Sequence, residues 1–326
     1  GRHHVELVMT SPSVIAFGEC MVELSRTVIG TRSWQLAFGG DSFNVAAYMA
    51  RLGCEVGYMT AIGTDEFSRD MRAGFVEEGV DVSRVLVHPE RIVGLYAIRV
   101  DEGGERSFTY WRSQSAARAF FDCPGAGEAM RSAEHAKLLY LSGITLSLFD
   151  AVGRARVEAL AAAVRRNGGK VAFDTNYRAR GWSSPETARA ALLSFARNAD
   201  ILLPTLEDDQ ALFGDKDAAA CIRRWQQVGV KEVAVKLGVD GCVAAADGTV
   251  EAVPAPERLQ ARDTTGAGDS FNAAYLASRL AGLDVVAAGT SANRLAGAVV
   301  RHPGALIPKV MMPIGVVHSR PEPCVR

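Results

Sequence analysis

Brief apolar runs alternate with amphipathic stretches along most of this chain, and no other feature restricts its fold as strongly. Val14 to Leu24, Val56 to Ile62, Leu138 to Leu141, Val171 to Asp174 and Ile201 to Leu203 are mostly apolar, as strands covered on both faces are. Helical patterns fall between them. Asp41 to Leu52 places Phe43, Ala46, Ala47 and Ala50 on one face. Glu66 to Glu78, the Ala-rich Phe149 to Arg166, a segment opened by Pro185 after Ser184, and Asp217 to Val228 follow. Several stop at a glycine: Gly53, Gly79, Gly168 and Gly229. Strand–helix–strand order of this kind builds a mainly parallel sheet between helices, an α/β fold. The 326 residues contain no repeat and no long linker, so one continuous domain is the economical arrangement.

The alternation breaks once. Ile92 to Arg112 holds two strand-like runs around Asp101-Glu102-Gly103-Gly104-Glu105, a turn composition, and reads as an antiparallel hairpin. With Val28 to Phe38 it can form a small β-sheet projecting as a lid, from segments at about 22–38 and 91–113. An edge hairpin without that role has the same pattern. Later, Glu232 to Lys236, Cys242 to Ala246 and Thr249 to Val253 read as a meander turned by Asp240-Gly241 and Asp247-Gly248. A helical pattern, Phe271 to Leu280, and another over Asp284 to Val300 complete a domain at 14–308. Residues 1–13 are expected to be a disordered extension, and 309–326 a tail.

Composition removes several classes. A net charge of −1 and no basic stripe argue against nucleic acid. No apolar run reaches the length of a membrane span. Six scattered cysteines without a C-x-x-C pair argue against a zinc site or a disulfide framework and fit a reducing cytoplasm.

The chemistry concentrates in Asp263-Thr264-Thr265-Gly266-Ala267-Gly268-Asp269-Ser270. Gly266, Ala267 and Gly268 can bring backbone close to a ligand, just where a helix begins and amide N–H groups lack partners. Such a terminus holds phosphate. Asp269 at its mouth can take a proton from a hydroxyl attacking phosphorus. As a bare fragment, the same residues would make a turn and a helix cap.

Four further clusters carry alternatives. Gly39-Gly40-Asp41-Ser42-Phe43-Asn44 opens the first helix; Asp41 and Asn44 can bind sugar hydroxyls, or Asp41 can simply cap the helix. Tyr96 and Tyr110-Trp111-Arg112 sit on the hairpin, where aromatics suit a sugar ring and a guanidinium suits a carboxylate; a cross-strand aromatic pair with a solvated arginine is the other reading. Asp174-Thr175-Asn176-Tyr177-Arg178 follows a buried strand, and open α/β sheets bind ligands beyond the carboxyl ends of strands. Lys236-Leu237-Gly238-Val239-Asp240-Gly241 can wrap a nucleotide or be a glycine-containing hairpin. Asn293, inside the last helix, has no function on position alone.

The string from Asp263 to Asn272, with Gly39-Gly40 and Asn44, resembles the signatures of the ribokinase-like (PfkB) carbohydrate kinases, and the resemblance runs from about Val14 to Pro308. Within that family, Phe17 to Leu24, Gly94-Leu95-Tyr96, Tyr110-Trp111-Arg112, Leu139 to Ile144, Phe173 to Arg178 and Gly304 to Pro308 are similar to segments of 2-dehydro-3-deoxygluconokinases. The resemblance implies a ribokinase-like fold with a β lid, and transfer of the ATP γ-phosphate to the C6 hydroxyl of 2-dehydro-3-deoxy-D-gluconate with Mg²⁺. It leaves room for a monovalent cation and for a homo-oligomer, a dimer through the lid. It implies Asp269 as base and Gly266, Ala267 and Gly268 as anion hole. Gly39, Gly40, Asp41, Asn44, Tyr96, Tyr110, Arg112 and Arg178 would hold the sugar acid. Asn176, Lys236, Gly238, Asp240, Gly241 and Asn293 would hold the nucleotide.

One departure stands out. Many members carry N-x-x-E where this chain has Pro204-Thr205-Leu206-Glu207-Asp208-Asp209, so the metal ligands are unassigned, with Glu207 or Asp208 able to act through water. A sibling kinase of neutral ketoses such as fructose and a non-catalytic sugar sensor are the rival readings. A dinucleotide-dependent dehydrogenase would need G-x-G-x-x-G after the first strand, and the chain lacks it there.

Overall fold

A computed structural model describes residues 12–26, 28–257 and 264–316. Along the chain run β1 (Val14–Phe17), β2 (Met21–Arg26), β3 (Gln35–Gly39), α1 (Asp41–Arg51), β4 (Val56–Ile62), α2 (Glu66–Glu77), β5 (Val85–Val87), β6 (Leu95–Val100), β7 (Arg106–Trp111) and α3 (Ala126–Ala133). Next come β8 (Leu138–Ser142), α4 (Gly143–Ser147), α5 (Ala151–Arg166), β9 (Lys170–Asp174), α6 (Pro185–Ala196), β10 (Ile201–Leu202), α7 (Leu206–Phe213) and α8 (Ala218–Val228). The chain closes with β11 (Glu232–Lys236), β12 (Cys242–Ala246), β13 (Thr249–Val253), α9 (Ala267–Leu280) and α10 (Val285–Val299).

Nine strands form the central sheet in the order β13-β12-β11-β10-β9-β8-β1-β4-β5. Pairing is parallel from β11 to β5, and the β11–β12 and β12–β13 pairs are antiparallel. Alternate residues feed two separate cores, which is why the strands read as continuous apolar runs. Val14, Ala16, Tyr140 and Ala172 face a layer that includes α1, α2, α9 and α10. Ile15, Phe17, Leu139, Leu141, Val171 and Phe173 face α3, α5, α6 and α8. Each fully buried large apolar side chain here, such as Phe173 or Phe195, contributes about 1.5–3 kcal/mol. Packing reaches to Val316, which is buried in the first of these cores.

The remaining strands form the lid, in the order β3-β2-β6-β7. The β6–β7 hairpin turns at Asp101, whose carboxylate accepts from the amides of Gly103 and Glu105.

The expected single strand Val14–Leu24 is two strands in different sheets. The break falls at Gly18-Glu19-Cys20, where buried Glu19 leaves the apolar period to pair with Arg112 on the lid. β5, α3, α4 and α7, unread in the sequence, are all of eight residues or fewer, so their periodicity is weak. Of the expected disordered extension 1–13, residues 1–11 lie outside the described residues, while Pro12 is buried and the Ser13 carbonyl accepts from the Leu138 amide at 3.0 Å; of the expected tail 309–326, residues 317–326 lie outside them, as does Asp263.

Candidate active site

Polar side chains gather at the carboxyl ends of β8, β9 and β11, the end of a parallel sheet where the strands deliver side chains to a crevice. Helix α9 meets them there. Its pattern begins at Phe271 but the helix itself starts at Ala267, which puts Asp269 in the first turn. Gly266 caps it with φ at 77°, a left-handed conformation that disfavours any residue with a Cβ. A methyl on Gly266 would also lie 2.8 Å from the Ala305 carbonyl oxygen. Tyr48 of α1 donates its hydroxyl to that same carbonyl and accepts from the Ile307 amide at 3.1 Å. Arg51 donates to the Ile307 carbonyl at 2.6 Å and grips Glu78 with two further bonds of 2.8 Å. The segment after α10 is thereby tied to α1 and pressed against the glycine loop.

The expectation of three free amides needs one correction. The Ala267 amide closes a turn on the Thr264 carbonyl at 3.2 Å. Among the described residues the amides of Gly266 and Gly268 donate to no carbonyl, which leaves those two for an anion.

Asp269 accepts from the Asn44 side-chain amide at 2.9 Å. Its pKa is pushed up to about 7, first by burial of the charged form and then by the negative charge of Asp41; the Asn44 hydrogen bond and Lys236 oppose the shift. Asn44 is itself buried, and its Oδ1 has no protein partner among the described residues. That atom is available to a ligand hydroxyl.

Beneath Asp269 lies a buried polar network. Lys236 donates to Asp174 at 2.7 Å and to Asn272 at 2.9 Å. The Asn272 amide donates to Asp174 at 2.8 Å and to Tyr140 at 3.2 Å. A Cβ on Gly268 would sit 3.6 Å from the Lys236 ammonium, so the lysine charge lies directly under the glycine loop. Asp174 also accepts from the Asn176 amide at 3.0 Å, which holds Asn176 at φ 33°. That strained left-handed turn aims the Asn176 side chain at Asp41, 2.9 Å away. Asp41 accepts as well from Ser142 and from the Ser42 amide. Its pKa is raised, by burial first and then opposed by the Ser142 bond, with Asp174 adding to the rise. Three carboxylates, Asp41, Asp174 and Asp269, thus share one surface with one lysine.

Gly40 brings the chain past Glu19 so closely that a side chain at this position would collide with the Glu19 carbonyl. Across the cleft, the inner face of the lid carries Tyr96 and Tyr110, stacked with ring centroids 5.9 Å apart. The Tyr96 hydroxyl donates to Glu23 and borders Gly39. Arg112, two residues beyond Tyr110, donates to Glu19 at 2.6 Å and keeps a buried Nε without a partner among the described residues. Further contacts join lid to body. Arg106 donates to Thr265 of the glycine loop at 3.2 Å, and the Arg180 guanidinium lies 4.7 Å over the Tyr110 ring.

The predicted residues therefore converge unevenly. Gly39, Gly40, Asp41, Asn44, Asn176, Lys236 and Gly266 to Asp269 meet at the crevice, and Tyr96, Tyr110 and Arg112 roof it. Arg178 turns aside to Asp208 at 3.2 Å. Gly238, Asp240 and Gly241 form the short turn between β11 and β12. Asn293 donates to the Val253 carbonyl at 2.9 Å, a contact that fastens α10 to β13. Of the acids left open, Glu207 is exposed and Asp209 is turned into the core against Thr175, Trp225 and Arg224. Asp208 faces the crevice; its pKa is raised by burial, with Arg178 opposing and Asp174 adding. The sequence reading passed over Ser142, Asn272, Glu19 and Arg180. Only Asn272 had a visible signal, a polar residue one turn after Asp269 on a helix face otherwise apolar.

Residues 11–310 match the pfkB family of carbohydrate kinases. A 2-dehydro-3-deoxygluconokinase from Dickeya dadantii (strain 3937) is 38% identical over 313 residues, covering 94% of this chain and 100% of that protein. A protein of the same name from Escherichia coli (strain K12) is 38% identical over 311 residues, covering 93% of this chain and 99% of its own. Among solved structures, a ribokinase II from E. coli in complex with ATP and Mg²⁺ is similar with a TM-score of 0.78 at 25% identity, covering 90% of this chain and 94% of that one.

Proposed function

Because the chain belongs to the pfkB family of carbohydrate kinases, we propose that Asp269 takes the proton from the C6 hydroxyl of 2-dehydro-3-deoxy-D-gluconate as that oxygen attacks the γ-phosphorus of ATP. The products are the 6-phosphate and ADP. One observation carries the reading: a carboxylate raised to about 7 stands beside two amides that donate to no carbonyl among the described residues, at a helix N-terminus above a buried lysine. A base of that pKa is half ionised near neutral pH and still strong enough to accept a proton in the transition state. The Gly266 and Gly268 amides would take the charge that develops on the transferring phosphoryl oxygens. Gly39, Gly40, Asp41, Asn44, Tyr96, Tyr110 and Arg112 would hold the sugar, with the lid excluding water. Asn176, the turn from Lys236 to Gly241, and Asn293 would border the nucleotide.

Mg²⁺ bound with ATP supplies neutralisation of the phosphate charge. Asp208 fits its neighbourhood, because it faces the crevice and its carboxylate already feels Asp174 and Lys236. We further propose a homodimer through the outer lid face, where Trp34 and Trp111 are 37% and 59% exposed; light scattering would find a monomer in Trp111→Asp if this face is the contact. The unpaired described cysteines support a reducing compartment.

The test is ADP release from ATP over a panel of sugar acids and neutral ketoses. The reading expects turnover with 2-dehydro-3-deoxygluconate and its collapse in Asp269→Asn with ATP affinity near normal. Preference for fructose, or wild-type turnover by the variant, would overturn it.

A further inference from the structure

We propose that Arg118 is a positioning residue for acidic substrates: it frames Arg112 at the hinge end of the lid and gives that end a surplus positive charge, so that a sugar carboxylate is received there without unseating Glu19. The inference rests on the sugar-acid reading above and gives Arg118 no contact with the sugar. Arg112 is paired with buried Glu19 at 2.6 Å, and a neutral couple attracts a further charge only weakly. Arg118, six residues on, changes the balance. It is half-buried, and among the described residues it forms no ion pair. Its pKa is lowered, first by burial and then by the positive charge of Arg112, with Glu19 opposing. A guanidinium in a protein nevertheless stays protonated. Two guanidiniums therefore act around one carboxylate. Glu23 of β2 is held by the Tyr96 hydroxyl. The complement of the surplus is an anion, and a substrate carboxylate beside Arg112 would complete two pairs.

Geometry ties the same residue to the backbone of Arg112. The Arg112 carbonyl accepts from Arg118 Nε at 2.9 Å and from the Ser115 amide at 3.2 Å, which closes a turn directly after β7. The Ala116 amide donates to the Ile92 carbonyl at 2.8 Å, so the turn is anchored to the segment that leads into β6. Around it, three buried atoms have no hydrogen-bond partner among the described residues: Glu19 Oε2, Arg112 Nε and Ser115 Oγ. Gly94 lets two of these side chains close in, since a Cβ there would lie 3.1 Å from the Arg112 Cβ and 3.4 Å from Glu19 Oε2. Buried polar atoms are normally bonded, so an open cluster next to the strand that carries Tyr110 points to a polar ligand group. Arg118 serves that cluster twice, by fixing the turn that sets Arg112 and by charging its surroundings.

The experiment compares Arg118→Gln, Arg118→Lys and Arg112→Ala with the wild type. Glutamine keeps a donor for the Arg112 carbonyl but no charge; lysine keeps the charge. The substrates are 2-dehydro-3-deoxygluconate and its counterpart with a hydroxymethyl group in place of the carboxylate. Removing one partly screened charge near the carboxylate should raise the KM of Arg118→Gln for the acid roughly 5- to 30-fold, with kcat little changed. The KM values for the neutral counterpart and for ATP should stay at the wild-type level, and Arg118→Lys should recover most of the loss. Equal losses on acid and neutral substrates would make Arg118 a brace of the turn and overturn the electrostatic role. So would an Arg118→Lys variant as impaired as Arg118→Gln. An unaffected Arg118→Gln beside a crippled Arg112→Ala would also overturn it, with the sugar-acid reading left standing. A wild type that turns over only neutral sugars would remove the sugar-acid reading and the role of Arg118 together.

Discussion

Asn44→Leu should move the acid limb of the pH–rate profile upward, because Asn44 gives Asp269 the hydrogen bond that restrains its pKa. The donor lies 2.9 Å from the carboxylate, and leucine removes it at nearly constant volume. A hydrogen bond to a charged group is worth about 1.5–3 kcal/mol, or about 1–2 pKa units. Starting from about 7, Asp269 would then titrate roughly between 8 and 9. The ionised form is the base, so activity is lost as pH falls through this value. At pH 7 the active fraction should drop from about a half to between about a tenth and a hundredth. Activity should return as the pH approaches 9. The assay is kcat/KM for the sugar at saturating ATP across pH 5.5 to 9.5, with ADP measured chromatographically so that no coupling enzyme imposes its own profile. An unmoved acid limb, or a loss equal at every pH, would refute the argument that Asp269 is the titrating base.

Three other outcomes follow from the same geometry. The folded pKa of Asp269 lies above the ordinary 3.8, so the native state holds more protons than the unfolded one between those values, and its stability falls as pH rises from about 4 to about 7. Asp269→Asn lacks that loss and should be the more stable protein at pH 8 but not at pH 4, by at most about 4 kcal/mol and less for a carboxylate still touching solvent; urea midpoints at the two pH values check it. Gly266→Ala should cost about 1–2 kcal/mol for its left-handed backbone and displace the loop from Ala305, lowering kcat more than it raises the sugar KM in steady-state kinetics. Lys236→Met should cost ~3–5 kcal/mol in a denaturant melt by leaving Asp174 buried without its cation; a loss under about 1 kcal/mol would mean the network is held by Asn272 alone.

The layered fold was legible because its signals are local. Apolar runs such as Val56–Ile62 and Glu232–Lys236 matched their strands end to end, and glycines after α1, α2, α5 and α8 marked real stops. Legibility failed where a contact is distant. Nothing near Glu19 announces Arg112, which is why the strand break at Gly18 was invisible. At the site, the glycine string located the cradle, yet partners set which atoms remain free. The Ala267 amide is closed by Thr264, and Arg178 is neutralised by Asp208. The stack of Arg180 on Tyr110 joins residues seventy positions apart, and no pattern in either segment encodes it.

The strap from Gly304 to Ile307 has a bearing on biogenesis. Tyr48 and Arg51 belong to α1, the first described helix of the domain, but their carbonyl partners lie more than 250 residues later, at Ala305 and Ile307. Gly266 takes its final support from Ala305, thirty-nine positions downstream. A nascent chain can therefore assemble most of its sheet while its phosphate cradle is still unfinished, and competence to hydrolyse or transfer nucleotide arrives only once the Gly304–Ile307 strap has emerged.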